Sequence, residues 1–365
     1  MRKICFFTNS MNNSGGISRV LSNVANMFDD SGDAVSIIVM DSNKNSFFHL
    51  NKGIKILPLD NELPNGKLEQ LLCAVDCVTK LRKLIKTINP DVVLSFWTSR
   101  AIISIIAGYK LGIPIVACEH TAYCKARMDA NIIRWIIYRF AAAIVSLTRE
   151  DALRYKKINK NTYVIPNGVN DLKILHRHRE EEKVVLFVGR WSREKGIDML
   201  IDAWNRIARK YSGWKLRIIG DKEDLKYVDE VNEKIDKYKL EDSIEIKQPT
   251  NEIMEEYDKA DIFVLPSRWE GLPMVLLEAM SRGVAVVSFD CPTGPRDIIK
   301  DNETGFLVEA DNIEMLSKRI ELLINEKKIR KEIGERANKD IYINYNCENI
   351  KKMWWKMLDE VIRIS

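Results

Sequence analysis

The chain has 365 residues, 46% hydrophobic and 30% charged, with a formal net charge of +5, an ordinary globular composition with apolar material for two domain-sized cores. Residues 125–160 hold nine Lys/Arg against three Asp/Glu, a local +6 that leaves the remainder at −1, so the basicity is a patch facing something anionic and excludes wholesale nucleic-acid binding. The seven cysteines are odd in number and sit mostly in predicted strands and helices, which excludes a small disulfide framework and fits free thiols in a reducing compartment.

The opening MRKICFFTNS has an apolar run too short for a signal peptide, and Asn9 to Gly16 turn polar, so a cytoplasmic location is expected. KICFFTN (3–9) reads as the first strand. NNSGGISRV (12–20) follows, where Gly15 and Gly16 permit close backbone approach to a ligand. It is no dinucleotide fingerprint, because the glycines are adjacent and Val20 stands where a third is needed; a plain βα turn is the other reading. AVSIIVM (34–40), IKILPL (54–59), DVVLSF (91–96), IPIVACE (113–119), AAAIVSL (141–147) and TYVIPNG (162–168) continue the strands, with helical patterns between them. Cys73 and Cys77 stand four apart with no second pair or nearby histidine, which fits core packing better than zinc.

His120 follows IPIVACE at a strand end, with Glu119 beside it. None of the four histidines has H-x-x-x-H spacing, which disfavours zinc; a structural and a functional role both stay open. The longest apolar stretch, 131–147, is interrupted by Arg134 and Arg139, which argues against a spanning helix. A helix over 129–140 would place Ile132, Trp135, Ile136 and Arg139 on one side, suited to an anionic membrane surface. The alternative is a buried connecting helix whose arginines reach solvent.

Residues 171–182 mix charges without apolar period and read as a linker. A second series follows: KVVLFVGR (183–190), WKLRIIG (214–220), SIEIK (243–247), DIFVLPS (261–267), VAVVSFD (284–290) and GFLVE (305–309). The alternation predicts an α/β fold of two doubly wound, Rossmann-like domains, 1–172 and 173–345. After 312 the pattern is helical, and the tryptophans at 354 and 355 suggest that a last helix, about 346–365, packs back on the first domain. Ligands of such sheets sit beyond the carboxyl ends of the strands, so the chemistry is expected in an interdomain cleft.

In PSRWEGLPMVLLEAMSRGVAVV (266–287), Glu270 and Glu278 stand eight apart across a loop-to-helix junction. Gly271, Leu272 and Pro273 lead into the helix at Met274, with the proline expected in the first turn. Free amides at that helix start suit a diphosphate or a polarised sugar hydroxyl, and Glu278 could accept hydrogen bonds from a diol. A capping carboxylate plus a solvated glutamate is the plain reading. In VGRWSREKG (188–196), Arg190 and Lys195 flank a tight loop and could neutralise charge growing on a departing diphosphate, although charged surface loops are common.

Together, Gly15-Gly16, His120, Pro166-Asn167-Gly168, Arg190…Lys195-Gly196 and Glu270-Gly-Leu…Glu278 resemble the retaining GT-B glycosyltransferases of family 4 over nearly the whole chain. EHT (119–121) with CPTGPRDII (291–299) is similar to bacterial enzymes that use UDP-galactose, UDP-N-acetylgalactosamine or UDP-N-acetylglucosamine to build surface polysaccharide. The resemblance implies an acceptor-binding first domain and a second domain that binds the nucleotide sugar. Arg190 and Lys195 would bind the donor diphosphate, Glu270 the transferred sugar, Glu278 the ribose, and His120 would reach the sugar from the first domain. Amides of Gly271 to Met274 would complete the contacts. Trp191 stands where the family usually has a small residue, which leaves that loop's shape open. No D-x-D triplet occurs, so neither metal nor other cofactor is expected. The implied reaction moves a hexose or N-acetylhexosamine with retention to a glycan acceptor, lipid-linked, in polysaccharide or O-antigen synthesis, the enzyme being cytoplasmic or peripheral on the inner face of the cell membrane. A nucleotide-sugar epimerase of the same fold, or a non-catalytic nucleotide-sugar-binding subunit, are the competing expectations.

Overall fold

Every apolar run read above as a strand forms one. The computed structural model describes residues 1–13, 16–61, 67–125, 128–169, 172, 182–250 and 252–364; Gly15 and most of the expected linker lie outside them. The chain divides into two compact units, Met1–Pro166 with Lys351–Ser365, and Asn167–Ile350.

In the first unit, β1 (Lys3–Thr8), β2 (Ala34–Val39), β3 (Lys55–Pro58), β4 (Val92–Phe96), β5 (Ile115–Glu119), β6 (Ala143–Ser146) and β7 (Thr162–Val164) make a parallel sheet ordered β3-β2-β1-β4-β5-β6-β7. β4, β5 and β6 are buried at every residue, as expected where helices cover both faces. Phe6, Phe28 and Phe96 form an aromatic chain through this core. The C-terminal helix, Cys347–Ile364, brings Trp355 onto Phe28, stacked at 4.8 Å, and Trp354 edge-on at 6.1 Å. Arg2 lies over the Trp355 ring at 4.7 Å.

The second unit repeats the plan with β8 (Val184–Val188), β9 (Lys215–Ile219), β10 (Ile244–Lys247), β11 (Ile262–Leu265), β12 (Ala285–Asp290) and β13 (Phe306–Glu309), all parallel and ordered β10-β9-β8-β11-β12-β13. One cluster of its core includes Phe187, Trp191, Leu200, Trp204, Ile218 and Leu316.

Both sheets have a switch point. From β1 the chain runs outward to β2 and β3, then returns to lay β4 on the other side of β1; from β8 it runs to β9 and β10 and returns to β11. Adjacent strands whose connections leave in opposite directions open a crevice at their carboxyl ends. That geometry brings the loop after β8 beside the loop after β11, more than seventy positions away in sequence.

Candidate active site

The loop after β8 is set by close backbone packing. A Cβ on Gly220 would stand 1.8 Å from the Gly189 carbonyl oxygen, so only glycine lets β9 end against the start of this loop. The loop closes in a 3-10 turn, Arg193–Lys195, and Gly196 takes φ 70° before the helix Ile197–Asn205. A Cβ on Gly196 would also meet the Pro266 carbonyl oxygen at 2.0 Å. The Lys195 loop therefore lies directly on the exit of β11.

Lys195 Nζ reaches Glu270 Oε1 at 2.7 Å, and the Ser267 hydroxyl donates to the same oxygen at 2.7 Å. Glu270 is buried and Lys195 mostly so. The Thr293 hydroxyl donates to the Glu270 carbonyl oxygen, and a Cβ on Gly294 would lie 2.2 Å from the Gly271 carbonyl oxygen. The loop after β12 thus braces Glu270 and Gly271 from behind. Arg190 is half exposed and pairs with Glu194 at 2.7 Å and Glu223 at 3.5 Å.

Arg268, which sequence reasoning passed over, ties the two loops together. Its amide donates to the Glu194 carbonyl oxygen at 2.9 Å and its guanidinium to the Arg193 carbonyl oxygen at 2.6 Å. The same guanidinium holds Asp198 with two bonds of 2.9 and 2.7 Å. Burial pushes the Asp198 carboxyl up, and hydrogen bonds from Arg268 and Tyr227 outweigh that and hold it below the usual carboxylate range. Such planar, two-pronged pairing fixes orientation as well as distance. Its residues are seventy positions apart, and no local motif announces it.

Gly271 and Leu272 precede Pro273, which is the N-cap of the helix Met274–Ser281 with ψ 103° rather than a residue of its first turn. Its extended backbone turns the chain from the brace into the helix. Glu278 is buried on that helix and accepts from the Tyr257 hydroxyl at 3.1 Å. Trp191 turns away into the core, fully buried, with its amide bonded to the Asp221 carbonyl oxygen at 2.8 Å. The bulk that left the loop's shape open is absorbed by packing.

In the first unit, the imidazole of His120 stacks on Phe96, centroids 4.5 Å apart and planes 15° off parallel. Burial pushes it down to about 3, so it is neutral at ordinary pH. Its Nε2 is shielded from solvent and has no hydrogen-bond partner among the described residues. A neutral imidazole with a vacant nitrogen suits a hydroxyl ligand. Glu119 serves the interior instead: it takes Arg134 at 3.1 Å, the Thr98 hydroxyl at 3.0 Å and the Tyr138 hydroxyl. Gly16 opens the helix Gly16–Asp29 with nothing within 4 Å of where a Cβ would stand. Trp97, another residue missed from sequence, follows β4 with φ 78° and ψ 140°, a region that belongs to glycine. Its neighbours on either side are Phe96, under His120, and Thr98, on Glu119.

Among the described residues no group of three or more His, Cys, Asp or Glu side chains is placed to hold a metal ion, and no helix is long and apolar enough to cross a membrane.

Two family models match in tandem: Glycosyltransferase Family 4 over residues 14–171 and Glycosyl transferases group 1 over residues 170–340. An uncharacterized glycosyltransferase of Haemophilus influenzae is 30% identical over 358 residues, 97% of this chain and 99% of that one. A Campylobacter jejuni protein named GalNAc-alpha-(1->4)-GalNAc-alpha-(1->3)-diNAcBac-PP-undecaprenol alpha-1,4-N-acetyl-D-galactosaminyltransferase is 29% identical over 370 residues, 99% of each chain. The crystal structure of TarM superposes with a TM-score of 0.83 at 17% identity, covering 98% of this chain and 99% of TarM, a likeness of fold.

Proposed function

The chain belongs to the family 4 glycosyltransferases, with the GT-B pair of Rossmann-like units, and from that premise we propose a specific reaction. It transfers a hexose or N-acetylhexosamine from a UDP-sugar to a lipid-linked glycan, with retention and without a metal, in surface-polysaccharide synthesis. The Campylobacter jejuni relative, named for an undecaprenol-linked acceptor and a transferred N-acetylgalactosaminyl group, supports the substrate class.

One observation carries the mechanism: Lys195 and Glu270 meet at 2.7 Å at the switch point, with a half-exposed Arg190 in the same loop as Lys195, paired with Glu194. The bond that breaks joins the anomeric carbon to a diphosphate oxygen, and its electron pair leaves with the diphosphate. Arg190, Lys195 and the backbone N–H groups of Gly271, Leu272 and Met274 would stabilise that growing charge, the task that elsewhere falls to a metal ion. Glu270 would accept from hydroxyls of the transferred sugar and Glu278 from the ribose. The acceptor oxygen forms the new bond from the leaving-group face, and its proton passes to the departing phosphate oxygen. No enzyme nucleophile is needed. Neutral His120 would hydrogen-bond a sugar hydroxyl through Nε2.

The test is a binding and hydrolysis screen of UDP-, GDP- and ADP-sugars with EDTA present, for wild type and Glu270→Ala. Slow release of UDP from one UDP-sugar, lost in the variant, is the expected result. Absence of binding to any nucleotide sugar overturns the glutamate and arginine roles. Conversion of a UDP-sugar alone into its isomer would make the protein an epimerase.

A further inference from the structure

The helix Met128–Ile137 and the 3-10 turn Tyr138–Phe140 divide their side chains between two environments. Arg134 and Tyr138 point inward, buried on Glu119. Ile132, Ile133, Trp135, Ile136 and Phe140 point outward and are between 45% and 61% exposed. Single exposed apolar residues are ordinary, but a contiguous stripe of large ones marks a surface meant to be covered. The Arg139 guanidinium lies over the Trp135 ring at 4.2 Å and donates to the Trp135 carbonyl oxygen. A cation and an indole thus sit in the middle of the apolar face.

We propose that this face docks on an anionic lipid surface. The charge argues for lipid: residues 125–160 carry the chain's whole excess of positive charge, +6 against −1 elsewhere. Arg134 and Arg154 are committed to Glu119 and Glu150; among the described residues of this segment, exposed Arg139, Lys156, Lys157 and Lys160 would meet phosphates. Indole and guanidinium are the chemistry of the headgroup level, while isoleucine and phenylalanine enter the acyl boundary. The buried Arg134 anchor presents the stripe ready formed, so docking orders little new structure. The proposal rests on the lipid-linked acceptor proposed above and supplies the surface on which that acceptor would be met.

The test is flotation of the full chain with vesicles of phosphatidylcholine alone and of phosphatidylcholine with phosphatidylglycerol. Wild type is expected to float with the anionic vesicles, less so at high salt. Trp135→Ser/Ile136→Ser should weaken partitioning at least ~tenfold, and Arg139→Gln roughly fivefold on anionic vesicles only. Both variants change exposed side chains and should keep wild-type thermal unfolding and release of UDP from a soluble UDP-sugar. Wild type that releases UDP yet does not float overturns the docking and leaves the transferase reading intact. Flotation without turnover of any nucleotide sugar does the reverse. A wild-type dimer that ignores vesicles and becomes monomeric in Trp135→Ser/Ile136→Ser shows the face to be an interface between copies, which also overturns the proposal.

Discussion

Arg134 places Nη2 3.1 Å from Glu119 Oε2, and both side chains are almost wholly buried. Removing one partner of such a pair strands the other charge, at a cost of about 3–5 kcal/mol, whereas replacing both by uncharged groups of similar shape costs far less. Arg134→Ala should therefore lower stability by several kcal/mol in urea unfolding. Arg134→Met/Glu119→Gln should recover most of that loss. A double variant as unstable as the single one would show that packing, not charge, holds the helix.

Arg190 and Lys195 should separate stability from turnover. Arg190 is 53% exposed and pairs with part-buried Glu194 and exposed Glu223, so Arg190→Ala should change stability by no more than about 0.5 kcal/mol. Release of UDP from the donor should nonetheless fall by ~10²-fold or more, as for loss of one charge-stabilising donor. Lys195→Ala should lower both, because it leaves Glu270 buried with only the Ser267 hydroxyl on Oε1. Thermal unfolding run beside a UDP-release assay distinguishes the two outcomes.

Acid should destabilise the fold earlier than carboxylates alone would require. His120 titrates near 3 in the native state and about 6.5 once unfolded, so between those values the unfolded chain binds a proton that the native one refuses. Stability then rises with pH through this window, and acidification from pH 7 to 5 costs at most about 2 kcal/mol. Asp198, held below the usual carboxylate range, adds stability present above about pH 4 and lost as pH falls further. In His120→Gln the difference between urea midpoints at pH 7 and pH 5 should shrink; an unchanged difference would assign the acid sensitivity elsewhere.

Thiol reactivity should report the fold directly. Burial pushes the thiols of Cys5 and Cys291 up to about 12 and that of Cys77 up to about 11, so few thiolates form there and reagent cannot reach them. Cys124 is exposed. An aromatic disulfide reagent should label Cys124 first in the native protein and Cys5, Cys118 and Cys291 only on unfolding, as peptide mapping would show.

The strands were legible because β-branched runs buried on both faces leave little alternative, and the placement of Glu270 and Glu278 across a loop-to-helix junction because such a junction is a local pattern. What escaped depended on which face packs against what. Arg134 reads as one more charge in a basic segment until the chain folds and takes it inside. Arg268 and Asp198 meet only because β8 and β11 are neighbours across the switch point. Trp191 looked like an obstruction, but the core of its unit had room for an indole. The strain at Trp97 is a property of backbone angles and has no signature in residue order.

The pair formed by Lys195 and Glu270 also sets what the site rejects. With its lysine already matched by a carboxylate, the site offers little net attraction to a bare phosphate, which would have to pull Lys195 away and leave Glu270 uncompensated. A ligand that brings anion and hydroxyls together repairs both losses at once. On the proposed roles, inorganic phosphate and pyrophosphate in the cell would then be poor competitors, and the site discriminates by demanding two kinds of partner from one molecule.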